Sequence, residues 1–286
     1  MTTDAARRDW PAARRLRTGP VLYWWAESLA VLTFYVGYST VRNNTNASPS
    51  AAFDNAIRLM DWQRTLHIDV ELTLQQWALH FEPLIVLCNY FYGSLHFVVT
   101  IAAALFLFRR FPDDYPRFRH TLGAATALAL IGFAAFPLMP PRLLDCYADD
   151  GNIANCYVDG ADPTTDEFGF VDTLARDPAI WSFNSGAMSK LSNQFAAMPS
   201  VHCAWALWCA TVFVPRVRRR WARWLAGLYP LLTVVVIVLT ANHYLLDAVG
   251  GFAAFGLGHL IAHRFTRAGR ATEAPAEVSG LLVRGG

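Results

Sequence analysis

From Trp224 to Asp247 the chain reads WLAGLYPLLTVVVIVLTANHYLLD. Residues 224–241 carry no charge and come close to the ~20 apolar residues that cross a bilayer core. The run stops at Asn242-His243, and Asp247 follows His243 by one helical turn. A span that ends on an imidazole and a carboxylate suggests both a membrane fold and a site at its edge. Working outward from this stretch, five more runs approach spanning length: Val21–Val41, Pro83–Phe108, Thr121–Leu138, Ser200–Val214 and Tyr244–His263. The chain of 286 residues is 54% hydrophobic, 14% aromatic and only 16% charged, with a mean hydropathy of +0.26. That balance excludes extended disorder, a coiled coil and a disulfide-dense miniature domain, and leaves a polytopic membrane protein. No nucleic-acid partner is indicated. Val21–Val41 is too long for a signal core and reads as a retained span.

The sequence therefore predicts an all-α membrane protein: a six-helix transmembrane bundle over 21–265, a basic N-terminus at 1–20 and a disordered tail at 266–286. Between the first two spans, 53–81 repeats apolar residues at helical spacing (Phe53, Ile57, Met60, then Val70, Leu74, Trp77, Phe81) but carries Asp54, Arg58, Asp61, Arg64, Asp69 and Glu71. So many charges suit a helix or helix pair lying in the interface. Residues 140–199, rich in Gly, Pro, Asp and Asn, read as a long outer loop or cap. Ser200–Val214 sits between Pro199 and Pro215 and covers only about 22 Å at 1.5 Å per residue. Its outer end is expected in a protein recess, or its helix to begin earlier, near Asn193.

Of the 24 basic residues, 23 are Arg and one is Lys190. With the N-terminus inside, 18 fall on the cytoplasmic side: Arg7, Arg8, Arg14, Arg15, Arg17, Arg109, Arg110, Arg117, Arg119, Arg216, Arg218, Arg219, Arg220, Arg223, Arg264, Arg267, Arg270 and Arg284. The other side keeps 6: Arg42, Arg58, Arg64, Arg142, Arg176 and Lys190. The positive-inside rule then puts both termini in the cytoplasm and the 140–199 loop outside a plasma-type membrane. Cys146 and Cys156 lie in that loop and are expected to pair, whereas Cys88, Cys203 and Cys209 read as small buried hydrophobes.

Two strings carry the chemistry: Met198-Pro199-Ser200-Val201-His202 at the outer start of the fourth span, and Asn242-His243-Tyr244-Leu245-Leu246-Asp247 at that of the sixth. Asp247 shares a helical face with His243 and can hold one imidazole nitrogen while the other points away. The hairpin of spans four and five brings His202 to the same level, and Arg142 ends span three there. Two imidazoles, a carboxylate and a guanidinium suit phosphoryl transfer. A two-histidine, one-carboxylate metal site would use the same atoms, but no further ligand is placed with them; no metal and no cofactor is expected. Ser200 is either an anion cradle or a simple N-cap. His96 and His259 read as structural. Glu27 is either a buried hydrogen-bonding group or a headgroup contact. The acidic set Asp145, Asp149, Asp150, Asp159, Asp162, Asp166, Glu167, Asp172 and Asp177 matches no calcium loop and reads as a solvated cap.

Over roughly residues 20–265 the sequence resembles the type 2 phosphatidic acid phosphatase superfamily, and within it the inositol phosphorylceramide synthase and sphingomyelin synthase-like branch. Pro199-Ser200-x-His202 and His243-Tyr244-x-x-Asp247 carry the likeness. The resemblance implies that His243 attacks phosphorus to give a phosphohistidine, that Asp247 orients it, that His202 protonates the leaving oxygen and that Arg142 binds phosphate. The phosphatase members add a Lys seven residues before the arginine and a Ser-Arg pair six to seven before the second histidine. Here those positions hold Ala135, and Val236 with Ile237; Val201 replaces a Gly, and Pro141 precedes the arginine instead of following it. One matched cation suits the single charge of a phosphodiester better than the near-dianion of a monoester. The expected activity is transfer of a phosphorylated headgroup from a membrane phospholipid to a hydroxyl acceptor. A lipid phosphate phosphatase using water, and a non-catalytic membrane scaffold or carrier, are the competing readings.

Overall fold

The structure, a computed structural model, describes residues 13–15, 21–44, 48–146, 168–176 and 195–272. A short antiparallel ribbon, β1 (Ala13–Arg15) with β2 (Val21–Tyr23), pairs Ala13 with Tyr23 and leads into α1 (Trp24–Asn44). Residues 21–23, assigned from sequence to a helical span, are thus strand. Then come α2 (Pro49–Thr65), α3 (Glu71–Leu79), α4 (Glu82–Tyr90), a π-turn (Phe91–Leu95), α5 (His96–Arg110) and α6 (Tyr115–Ala135). A 3-10 turn (Pro141–Cys146), α7 (Thr173–Arg176), α8 (Val201–Phe213), α9 (Arg220–Leu239) and α10 (Leu245–Thr272) complete the order. The chain is mostly helical, and four helices are long and apolar enough to cross a membrane: Glu82–Arg110, Tyr115–Ala135, Arg220–Leu239 and Leu245–Arg264. α1 has the length, but Glu27, Ser28, Ser39, Thr40 and two tyrosines dilute its apolar character.

Local chemistry sets the helix ends. Ser48 caps α2 by accepting from the Ala51 amide at 3.1 Å, and Pro49 opens it with a preset φ. Pro116 does the same for α6 and Pro83 for α4. The stretch at 53–81, expected from sequence to be a helix or helix pair, forms two helices, α2 and α3, joined through His67, whose φ is +57°. α10 runs on to Thr272, past the boundary expected at 265.

α8 is the hub. Its 13 residues touch α5, α6, α9 and α10, and Cys203, Ala204, Ala206, Ala210 and Val212 are buried. Small side chains let neighbouring backbones approach, the source of cohesion where lipid is as apolar as the protein. Trp205 Nε1 donates to Thr126 Oγ1 at 3.0 Å and Trp208 Nε1 to Phe118 O at 2.9 Å, which fixes α8 against α6. A Cβ at Gly251 would strike the Ser200 carbonyl and one at Gly258 the Ala125 backbone, so glycine permits the crossing of α10 with α8 and α6. At 1.5 Å per residue α8 covers about 20 Å against a core of ~30 Å. The helix starts at Val201, not near Asn193. The segment above it packs as a protein roof: Ala197 lies in one core with Leu138, Met139, Leu143, Leu144, Tyr244 and the α2 residues Ala52, Ala56 and Leu59.

Candidate active site

Three backbone pieces converge above α8. The turn 240–244 between α9 and α10 carries His243, the start of α8 carries His202, and the 3-10 turn carries Arg142. They are tied by main-chain bonds: Arg142 N donates to Ala241 O at 2.9 Å, and Ser200 N to Asp247 O at 2.9 Å. Ala241 takes a left-handed φ of +49°, which redirects the chain from α9 toward α10 and aims its carbonyl at Arg142. Such a conformation costs a non-glycine residue roughly 1–2 kcal/mol and persists where surrounding contacts fix it.

His243 is buried, and its Nδ1 lies 3.2 Å from Asp247 Oδ2. The same oxygen accepts from the Tyr244 amide at 3.0 Å, so the carboxylate is held from two sides and is fully buried. On the opposite side of the ring, Nε2 is buried with no hydrogen-bond partner among the described residues. A buried ring nitrogen without a partner is uncommon in folded proteins. The His202 ring centroid is 5.7 Å from that of His243. Tyr92 stacks on His202 at 4.3 Å and 20°, and His96 packs against it at 4.2 Å.

A cavity of about 850 Å³ opens on this cluster. Tyr92, His96, Arg142, His202, Asn242 and His243 line one end. From there it runs beside α6 past Phe133, Thr126, Gly123 and Leu122, with Val31, Phe34 and Tyr35 of α1 as its outer wall, to Arg119 and His120. Asp247 is not in the lining; it stands behind His243.

His202, His243, Asp247 and Arg142 are thus brought together. Ser200 caps α8, its Oγ accepting from the Cys203 amide at 3.4 Å; it is fully buried and absent from the cavity lining. Arg142 does not stand alone: its Nη1 donates to Asp172 Oδ2 at 2.6 Å. That corrects the reading of the acidic loop as solvated. Asp172 is buried, and Asp145 accepts from the amides of Phe168 at 2.8 Å and Phe170 at 2.9 Å, both serving as internal ties because loop amides need acceptors where water is excluded. The other loop carboxylates, Cys156 and Lys190 lie outside the described residues. Arg58, Arg64 and Arg176 are exposed and line no part of the cavity. Cys88, Cys203 and Cys209 are buried thiols, as expected.

His96, read as structural, is part of the cluster. The π-turn before it re-aims its helix, and Tyr92 O meets its Nδ1 at 2.9 Å. Glu27 is the hydrogen-bonding group: Arg119 Nη1 donates to its Oε1 and Oε2 at 2.5 and 2.6 Å. Sequence reasoning also missed the groups that cap α10. Glu71 Oε1 accepts from Leu245 N at 2.7 Å and from Gln63 Nε2 at 2.6 Å, while Gln63 Oε1 accepts from Leu246 N at 3.1 Å. α2 and α3 thereby supply acceptors to the orphan amides of the helix that carries Asp247. The one available signal was a carboxylate in an apolar helical repeat.

A comparison with curated proteins finds no match, and one with solved structures finds none. A protein-family comparison does: the model described as the PAP2 superfamily matches residues 57–261, from α2 to the middle of α10. The match is shorter than the likeness read from sequence over 20–265, and it leaves α1 outside. It contains His202, His243, Asp247 and the capping pair Gln63 and Glu71. Covering well over half of the chain, it shows that the protein belongs to the PAP2 superfamily, whose members are phosphatases and phosphotransferases acting on phosphate esters.

Proposed function

We propose that the protein is a lipid phosphotransferase of the inositol phosphorylceramide synthase and sphingomyelin synthase-like branch, working through a phosphohistidine at His243. The observation that carries this reading is the His243 ring: Nδ1 bound to Asp247, Nε2 buried and without a partner among the described residues, and His202 across from it at the end of a cavity. Asp247 fixes the tautomer in which Nδ1 holds the proton and Nε2 presents its lone pair. Nε2 attacks phosphorus, the bond from phosphorus to the glyceride oxygen breaks, and His202 delivers a proton to that oxygen as diacylglycerol leaves. In the second half the acceptor hydroxyl attacks the phosphohistidine, gives its proton to His202 and frees Nε2. Arg142 holds the non-bridging oxygens, and Ser200 serves by capping α8 and bonding the Asp247 carbonyl.

The apolar reach of the cavity along α6 suits the hydrocarbon part of a lipid, which supports a membrane phospholipid as substrate. A diester is favoured because, among the described residues, Arg142 is the sole basic residue of the expected outer set that lines the cavity. We further infer six spans, with α1 and the short α8 added to the four long helices, α2 and α3 at the interface, both termini cytoplasmic and the site facing outward. The test is incubation of purified protein with labelled phospholipids and hydroxyl acceptors, with analysis of every phosphorus-containing product and acid-labile protein phosphate. Headgroup transfer with a trappable phosphohistidine is expected. Rapid release of inorganic phosphate from phosphatidic acid, with no reaction on any diester, would instead establish a lipid phosphate phosphatase. A cysteine placed beside Lys190 should react with an impermeant reagent in intact cells; labelling only after lysis reverses the orientation.

A further inference from the structure

The outer loop returns to the bundle at 168–176, where side-chain amides stitch it down. Gln75 makes a two-way pair with the Val171 backbone, Nε2 donating to its carbonyl at 2.7 Å and Oε1 accepting from its amide at 3.0 Å. Asn89 Nδ2 donates to Thr173 O at 3.0 Å, Thr173 Oγ1 donates to Asn89 Oδ1 at 3.1 Å, and Gln76 Nε2 reaches Gly169 O at 2.6 Å. Between these ties sits Asp172. Its Oδ2 accepts from Arg142, and its Oδ1 accepts from the amides of Leu174 at 3.1 Å and Ala175 at 3.2 Å. Asp172 is 4% exposed and Arg142 8%. The carboxylate, itself outside the cavity lining, is therefore a fixed partner of the guanidinium that lines its end, not a mobile counter-ion.

A phosphate that reaches Arg142 meets a guanidinium with a carboxylate already bound to it. The directional N–H donors remain those of an arginine, but the net charge of the pair is zero. A phosphodiester, with one negative charge, feels one unit of repulsion from Asp172. A monoester, whose second proton leaves near pH 6, carries nearly two charges at pH 7.5 and feels about twice the repulsion from Asp172. We propose that Asp172 is the specificity-determining residue that sets the charge of the accepted phosphate, admitting diesters and discriminating against monoesters. The proposal rests on the reading in which Arg142 contacts the phosphate. It deepens that reading by giving the outer loop a task in substrate choice.

The test measures binding, so it does not depend on turnover. Full-length protein in detergent, with His243→Ala present throughout to prevent reaction, is titrated calorimetrically at pH 7.5 with dihexanoyl phosphatidic acid and with dihexanoyl phosphatidylglycerol. The parent should bind the diester at least as tightly as the monoester. Asp172→Asn keeps an oxygen for the Leu174 and Ala175 amides and removes the charge. It should move the affinity ratio toward the monoester by about tenfold, the size of one extra unit-charge interaction across roughly 10 Å at an effective dielectric of 20. Asp172→Ser, a smaller acceptor, should move it the same way. A monoester preference in the parent, no binding of either lipid, or an unchanged ratio in the variants overturns the proposal. If neither variant can be purified, the parent's own preference decides. Absence of headgroup transfer and of phosphohistidine in the unsubstituted protein would count against the functional reading, and the binding ratio would stand apart from it.

Discussion

Where the chain enters α10, His243 lies in the preceding turn, not on a shared helical face as expected, and Asp247 in the helix's first turn, both buried, with the carboxylate held by a ring nitrogen and a backbone amide. Within α10, His259 and His263 repeat the four-residue spacing, their rings stacked at 6.4 Å and 7°, both half-buried. The two pairs look alike in sequence, each a histidine with a polar group four residues on. They differ in what surrounds them. The first is enclosed by three converging turns and by caps from Gln63 and Glu71, so that its ring has one orientation and one nitrogen aimed away from its carboxylate. The second lies on a partly exposed helix face. Four-residue spacing is common to both pairs; enclosure and a fixed acceptor are what single out the first as the proposed catalytic pair.

The largest expected contrast is between the two ends. His243→Ala should lower headgroup transfer by on the order of 10⁴-fold or more and abolish trappable phosphohistidine, whereas His259→Ala should leave turnover within about twofold. Comparable losses at both would break the distinction. Next, Asp247→Asn keeps the size of the side chain but presents an amide where Nδ1 needs an acceptor; phosphohistidine formation in rapid-quench assays should slow by about 10²- to 10⁴-fold. His202→Ala should cost about 10²- to 10⁴-fold for lipids with poor leaving groups and much less for an activated aryl phosphodiester, which leaves without a proton. Equal losses on both would remove His202 as the acid.

A smaller effect tests whether the caps matter. Glu71→Ala strands the Leu245 amide and the Gln63 amide nitrogen in a buried site, at about 1–3 kcal/mol for each unsatisfied donor. Thermal unfolding in detergent should fall by several degrees, and Glu71→Gln, which keeps an oxygen, should recover most of it. The least effect is expected at the far end of the cavity. Glu27→Gln weakens a pair in which Arg119 is 32% exposed on its side chain. It should change stability by less than about 1 kcal/mol and leave turnover on a short-chain lipid intact. A large loss there would show that the edge helix α1 belongs to the catalytic unit.

Apolar run length, Arg asymmetry and the two histidine strings were legible because each is a property of neighbouring residues: a 3.6-residue repeat, a count of charges, an i, i+4 pair. From these came the helical membrane class and the His202, His243, Asp247 and Arg142 set. Local pattern offered two outcomes for α8, a protein recess above it or an earlier start near Asn193, and could not decide between them, since length alone does not reveal what fills the remaining height. Nor could it say that His96, over a hundred residues from His202, shares its wall, or that Gln63 and Glu71 cap a helix some 180 residues away. Asp172 is the clearest case. In sequence it is one acidic residue among nine in a polar loop, and the expectation of solvation follows from composition. Only the tertiary structure, by stitching residues 168–176 to Gln75 and Asn89, lays that carboxylate on Arg142. Contacts between distant segments are made by packing and by the demand that buried polar groups find partners, and neither is written in the spacing of residues along the chain.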